Sequence, residues 1–153
     1  MAIYFFDSSG LVKRYISEKG TAWIKSLTDP PSGNSLYFAR ITGAEMIAAI
    51  TRRQRRGATT REDAHAAVTA FRTDFHRAYF PIDITPIVVL RAMDIAEHHG
   101  LRGYDAVQLA AALELRDQCR LLGLPEPTLV AADHELNLAA GVEGLAVDNP
   151  NTH

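Results

Sequence analysis

Residues 2 to 16 read Ala-Ile-Tyr-Phe-Phe-Asp-Ser-Ser-Gly-Leu-Val-Lys-Arg-Tyr-Ile. The first five are apolar without alternation, the pattern of a strand buried on both faces, as in a parallel sheet. Asp7, Ser8 and Ser9 are all N-cap residue types, and Leu11 to Ile16 have helical spacing. The strand is therefore expected to turn straight into a helix, which Gly20 would end as a C′ residue. A strand that enters a helix through a carboxylate is a natural opening for an α/β sheet.

The rest of the chain repeats the alternation. A short helix around Trp23 to Leu27 stops near Pro30-Pro31, and Asp29 to Ser35 is a loop by composition. Leu36 to Ala39 is a second strand. Thr42 can cap the helix that follows, with Glu45 at N3 in a capping box, and this helix runs to Arg52-Arg53-Gln54-Arg55-Arg56 before Gly57. Thr60, with Asp63 three residues on, caps a helix carrying Ala64, Ala67, Val68, Phe71 and Phe75 on one face. Phe80 to Ile84 reads as a strand that Pro81 confines to an edge. Pro86 opens a helix ending near His99-Gly100, and Tyr104 to Leu122 is a long Ala/Leu helix. Thr128 to Ala131 is a strand, Asp133 to Ala140 a helix, and Leu145 to Val147 a last strand. This order predicts an α/β fold with a mainly parallel sheet. With no internal repeat, low-complexity tract or linker, residues 1 to 153 are expected to form a single domain.

Composition narrows the class. The chain is 47% hydrophobic and 22% charged, within the globular range. Its one cysteine, Cys119, allows no internal disulfide and no zinc cluster. The apolar start ends at Asp7, too short for a signal peptide, and no apolar run approaches the ~20 residues of a membrane span. A cytoplasmic protein without a membrane anchor is the expectation. The net charge of -2 excludes a generally basic nucleic-acid binder. It leaves room for an acidic site with a basic rim.

Four acids stand out by position. Asp7 follows the first strand, Glu45 lies in the first turn after the second, Asp105 opens the Ala-rich helix, and Asp133 follows the Thr128 strand. Ligands of open α/β sheets bind at the carboxyl ends of strands, where helices begin. Helix capping or the helix dipole accounts for each acid singly. If the four meet, they repel one another and call for a cation. A set of oxygen donors suits a hard ion, Mg²⁺ or Mn²⁺, able to activate water against a phosphodiester.

The ordered set of motifs resembles the PIN-domain nucleases, in particular the VapC-type toxins of VapBC toxin–antitoxin systems. The resemblance rests on Phe6-Asp7-Ser8-Ser9 with Leu11 to Tyr15, on Thr42 to Glu45, on Leu101 to Ala110, and on Val130-Ala131-Ala132-Asp133 with Leu136 and Ala139 to Gly141. It implies a three-layer α/β/α fold around a sheet of four to five strands. It also implies a Mg²⁺- or Mn²⁺-dependent endoribonuclease, held as a homodimer and silenced by a cognate antitoxin. Asp7, Glu45, Asp105 and Asp133 would form the catalytic, metal-binding cluster, with Asp7 and Asp105 as direct ligands. Asp133 would hold a water or a second ion, and Ser8 would help to orient the acids.

Lys13, Arg14 and Arg102 lie nearest these motifs and are the candidate RNA contacts, ahead of the Arg52 to Arg56 cluster. The helices from Ala64 to Phe75 and from Pro86 to His99 are candidate dimer surfaces. Two enzyme alternatives fail on residues. A phosphatase-type nucleophile at Asp7 wants an Asp where Ser9 stands, and a dinucleotide fold wants a glycine-rich turn where only Gly10 is found. A non-catalytic α/β interaction module, using its acids only as caps, is the reading from another class.

Overall fold

The computed structural model describes all 153 residues. Five strands form one sheet in the order β3-β2-β1-β4-β5: β1 Ile3–Phe6, β2 Ser35–Ala39, β3 Phe80–Ile82, β4 Thr128–Val130 and β5 Ala146–Asp148. Every pairing is parallel, with Phe5 beside Tyr37 on one side and Leu129 on the other. The sheet is thus wholly parallel, and Pro81 lies on edge strand β3, where its missing N–H costs least.

The helices are α1 Ser8–Tyr15, α2 Thr21–Thr28, α3 Thr42–Arg55, α4 Arg61–Arg77, α5 Pro86–His99, α6 Gly103–Leu122 and α7 His134–Val142. Strand pleating divides them into two layers. Ile3, Phe5 and Leu129 point into a core with α5, α6 and α7, while Phe6, Leu36, Phe38 and Val130 point into a second core with α1 to α4. This is the three-layer α/β/α arrangement. No helix is long and apolar enough to cross a membrane.

The central position of β1 creates the site. From β1 the chain moves outward to β2 and β3, then returns to place β4 and β5 on the other side. The carboxyl ends of β1 and β4 therefore flank the point where strand order reverses, the crevice in which such sheets bind ligands. Glycine at position 10 lets α1 close onto this point. A Cβ there would lie 2.6 Å from the Val130 carbonyl oxygen.

Three local expectations need correction. α1 ends at Tyr15 and the chain turns extended at Ile16, so Gly20 does not terminate it. Gly20 instead precedes α2 at φ 88°, pressed against the Pro150 carbonyl. Thr42 is not an N-cap: the backbone is already helical at Ile41, and no side chain caps α3. The Thr42 hydroxyl faces inward and accepts from Gln108 Nε2 at 2.9 Å, so Glu45 has no capping box to complete. β3 stops at Ile82 rather than Ile84.

Replacing Gly10 by Ala should lower stability by about 1–3 kcal/mol, because a clash with backbone outweighs the roughly 1 kcal/mol gained from helix propensity. Urea unfolding should show a lower midpoint at an unchanged m-value. An unchanged midpoint would mean that α1 can lift from β4 without cost.

Candidate active site

Asp7 is the N-cap of α1, and its Oδ2 accepts from the Ser9 amide at 3.0 Å and the Ser9 hydroxyl at 2.5 Å. The Ser9 hydroxyl in turn accepts from the Ala132 amide at 3.0 Å, and the Asp7 amide donates to the Val130 carbonyl at 3.1 Å. These bonds clasp the end of β1 to the end of β4. Asp133 lies just beyond that clasp. As the N-cap of α7, it takes the Leu136 amide on Oδ1 at 2.9 Å, which leaves Oδ2 facing outward.

Glu45 and Asp105 enter from the other elements. Glu45 sits in the first turn of α3, and its Oε2 accepts from Gln108 Nε2 at 3.0 Å. The same buried amide holds Thr42, so Gln108 fastens α6 to the start of α3. Asp105 is buried in the first turn of α6, where the helix dipole favours a carboxylate. Its Oδ2 accepts from Arg102 Nε at 3.2 Å, and Arg102 Nη2 reaches Asp133 Oδ2 at 3.4 Å.

The four carboxylates lie near enough to act on one another's charge: Asp7 and Asp105 on Glu45, and Asp133 on Asp7 and Asp105. Burial pushes Asp7 upward, against the Ser9 bonds that pull it down, and Asp133 adds repulsion. Burial likewise raises Glu45 to about 7, with added repulsion from Asp7 and Asp105 opposed by the hydrogen bond from Gln108. Asp105 is raised by burial and then by Asp133, while Arg102 pulls it down. Acids that lift one another in this way share one low-dielectric crevice.

The residues fit a hard divalent cation. Glu45 Oε1 and Gln108 Oε1 are buried without any hydrogen-bond partner, and the available donors are oxygens. As the side chains stand, no three acidic, histidine or cysteine residues are spaced to hold a metal ion together. An open, oxygen-lined crevice suits Mg²⁺, which keeps several waters and takes one or two carboxylates.

Asp7, Glu45, Asp105 and Asp133 lie near one another, and Ser8 adjoins Asp7 as the first residue of α1. Lys13 and Arg14 pair with other acids. They lie nearly two turns along α1 from Asp7, on faces turned toward other helices. Lys13 is buried with Nζ 3.3 Å from Glu18. Arg14 is tied to Asp29 at 2.6 Å and Asp74 at 3.5 Å. Arg102 does reach the site. Two site residues escaped the sequence reading. Ser9 looked like one cap residue among three, and its clasp depends on β4 lying alongside. Gln108 did leave a signal: it is a polar residue three positions after Asp105 in an otherwise Ala/Leu stretch.

Ribonucleases VapC45 and VapC49 of Mycobacterium tuberculosis (strains CDC 1551 / Oshkosh and ATCC 25618 / H37Rv) are each 31% identical to this chain over 149 residues, covering 96% of it and 95% of their own length. The chain belongs to the VapC ribonuclease family. No family model matches its sequence. Solved structures share this VapC fold at lower identity. PAE2754 from Pyrobaculum aerophilum aligns with TM-score 0.64 at 20% identity, over 99% of this chain and 91% of that one. A toxin–antitoxin complex from Klebsiella pneumoniae aligns with TM-score 0.60 at 17% identity, over 96% and 97%. VapBC2 from Rickettsia felis, bound to a fragment of promoter DNA, aligns with TM-score 0.58 at 14% identity, over 96% and 98%.

A pH dependence follows for the metal-free VapC chain. Folding raises Glu45 from 4.5 to about 7, so the fold binds its proton more tightly than the unfolded chain does. The resulting penalty is absent below about pH 4.5 and is fully felt above about pH 7. In EDTA, Glu45→Gln should therefore melt about 2–4 °C higher than wild type at pH 8 and equally at pH 4. A difference that stays constant across that range would remove desolvation as the cause.

Proposed function

We propose that this chain is a Mg²⁺- or Mn²⁺-dependent endoribonuclease, the toxin of a toxin–antitoxin pair. The observation that carries this reading is the nearness of Asp7 and Asp105 to Glu45, whose Oε1 is unpartnered, with Asp133 beside Asp7 and Asp105 at the point where strand order reverses. The ribonuclease names of the two Mycobacterium tuberculosis relatives support the substrate class.

In this reading Asp7 and Asp105 would hold the cation directly, Glu45 would complete the acidic cluster, and Asp133 would hold a water or a second ion. When bound, the cation supplies charge neutralisation for the acids and the scissile phosphate, and acidifies the attacking water. Water would attack phosphorus in line as the bridging P–O bond breaks, the departing ribose oxygen taking a proton from solvent. Glu45 Oε1 is free to receive the proton that the water gives up, because Gln108 occupies Oε2. Ser9 fixes the Asp7 carboxylate in one orientation. Arg102, whose side chain is 59% exposed at the crevice, takes the phosphate.

The partners belong to the same proposal. A cognate antitoxin would silence the site, a reading supported by the shared fold of the two toxin–antitoxin structures. A homodimer would use α5. Its outer face leaves Ile87 70%, Leu90 60% and Met93 61% exposed, whereas the apolar face of α4 is already spent on the core at Ala64, Ala67 and Phe71. Acting on RNA in this way, the protein would work in the cytoplasm.

RNA cleavage should need Mg²⁺ or Mn²⁺, stop with EDTA, and fall at least ~100-fold in Asp7→Asn, beyond the cost of disturbing a metal's outer shell. Equal cleavage by wild type and variant would refute the site assignment. Light scattering should show a dimer that Leu90→Asp converts to a monomer. A wild-type monomer would remove the dimer from the proposal.

A further inference from the structure

Arg102 precedes α6 but gives it no side-chain cap. Its guanidinium instead spans the crevice between α6 and α7. Nε lies 3.2 Å from Asp105 Oδ2, Nη2 lies 3.4 Å from Asp133 Oδ2, and Cζ lies 5.0 Å from the centre of the Tyr104 ring. No other side-chain cation forms an ion pair with any of the four carboxylates. The oxygen it takes from Asp133 is the outward one, since Oδ1 caps α7.

We propose that Arg102 is the internal counter-ion of this site, competing with the divalent cation for Asp105 Oδ2 and Asp133 Oδ2. The inference rests on the metal-site reading above. A guanidinium carries one delocalised charge and is weakly hydrated, so it can rest on carboxylates in a crevice that would otherwise hold only repelling acids. Its ion pairs are solvent-exposed and correspondingly weak, so a divalent charge displaces it. The displaced side chain remains at the mouth of the crevice beside the exposed Tyr104 ring, within reach of an incoming phosphate. Phosphate on Arg102 and metal on the carboxylates then assist each other. Arginine drawn to RNA no longer opposes the metal, and by linkage the metal strengthens RNA binding equally. Arg102 thereby keeps the RNA-free protein poorly loaded with metal.

Mn²⁺ binding to the RNA-free protein, followed by calorimetry, tests the competition. Arg102→Ala should bind Mn²⁺ about three- to tenfold more tightly than wild type, the scale of losing two exposed ion pairs. Arg40→Ala removes an exposed arginine paired with Asp83, outside the carboxylate cluster, and should change affinity less than about twofold. In a second measurement, Mg²⁺ should shift the Nε–H resonance of Arg102 in ¹⁵N spectra as its bond to Asp105 is lost. Unchanged or weaker Mn²⁺ binding by Arg102→Ala, an equal gain in Arg40→Ala, or an unmoved Arg102 resonance would each overturn the counter-ion role while leaving the metal site standing. Failure of wild type and all variants to bind Mn²⁺ would overturn both readings together.

Discussion

The carboxyl edge of the sheet depends on one unfavourable placement, the burial of Asp7 beside other acids. A buried carboxylate is costly unless hydrogen bonds or a cation compensate it. Here Ser9 supplies two bonds to one Asp7 oxygen and, through its own hydroxyl, ties that oxygen to the Ala132 amide of the neighbouring chain segment. Gly10 permits the close approach that these bonds require. Helix start, strand pairing and carboxylate orientation are therefore one arrangement. Disturbing any part of it moves Asp7.

The remaining acids reach the same crevice by separate routes, and each is held by a different kind of group. Glu45 is fastened by an amide from α6, Asp105 by an arginine and a helix dipole, and Asp133 by the first turn of its own helix. Burial first, and repulsion from neighbouring acids second, hold Asp7, Glu45 and Asp105 above their ordinary values despite these supports. The fold thus tolerates stored electrostatic energy at one place. The divalent cation proposed above would release that energy directly, and the ribonuclease names of the two Mycobacterium tuberculosis relatives accord with such a site.

Legibility differed from residue to residue. Asp7 and Asp133 could be read because a carboxylate directly after an apolar strand is placed by chain connectivity. Glu45 was found at the right position for an incomplete reason. Its spacing from Thr42 suggested a capping box, but Thr42 turns inward to Gln108 and the helix starts without a cap. Lys13 and Arg14 are close to Asp7 in sequence, but sequence nearness does not fix which acids they pair with. Helical rotation carries them to Glu18, Asp29 and Asp74.

The sequence alone determined the α/β class, the alternation of strand and helix segments along the chain, the edge position of β3 and the four acids at strand–helix junctions. These follow from apolar runs, capping residues and breakers, which act over a few neighbouring residues. Only the tertiary structure decided the pairing of β1 with β4 and the division of the helices into two layers. It also decided the Ser9 clasp, the reach of Gln108 from α6 to α3, and the bridge from Arg102 to two helices. Those features join residues as many as 123 positions apart, through hydrogen bonds and charges that act only within a few ångströms, so they exist only once the chain has folded.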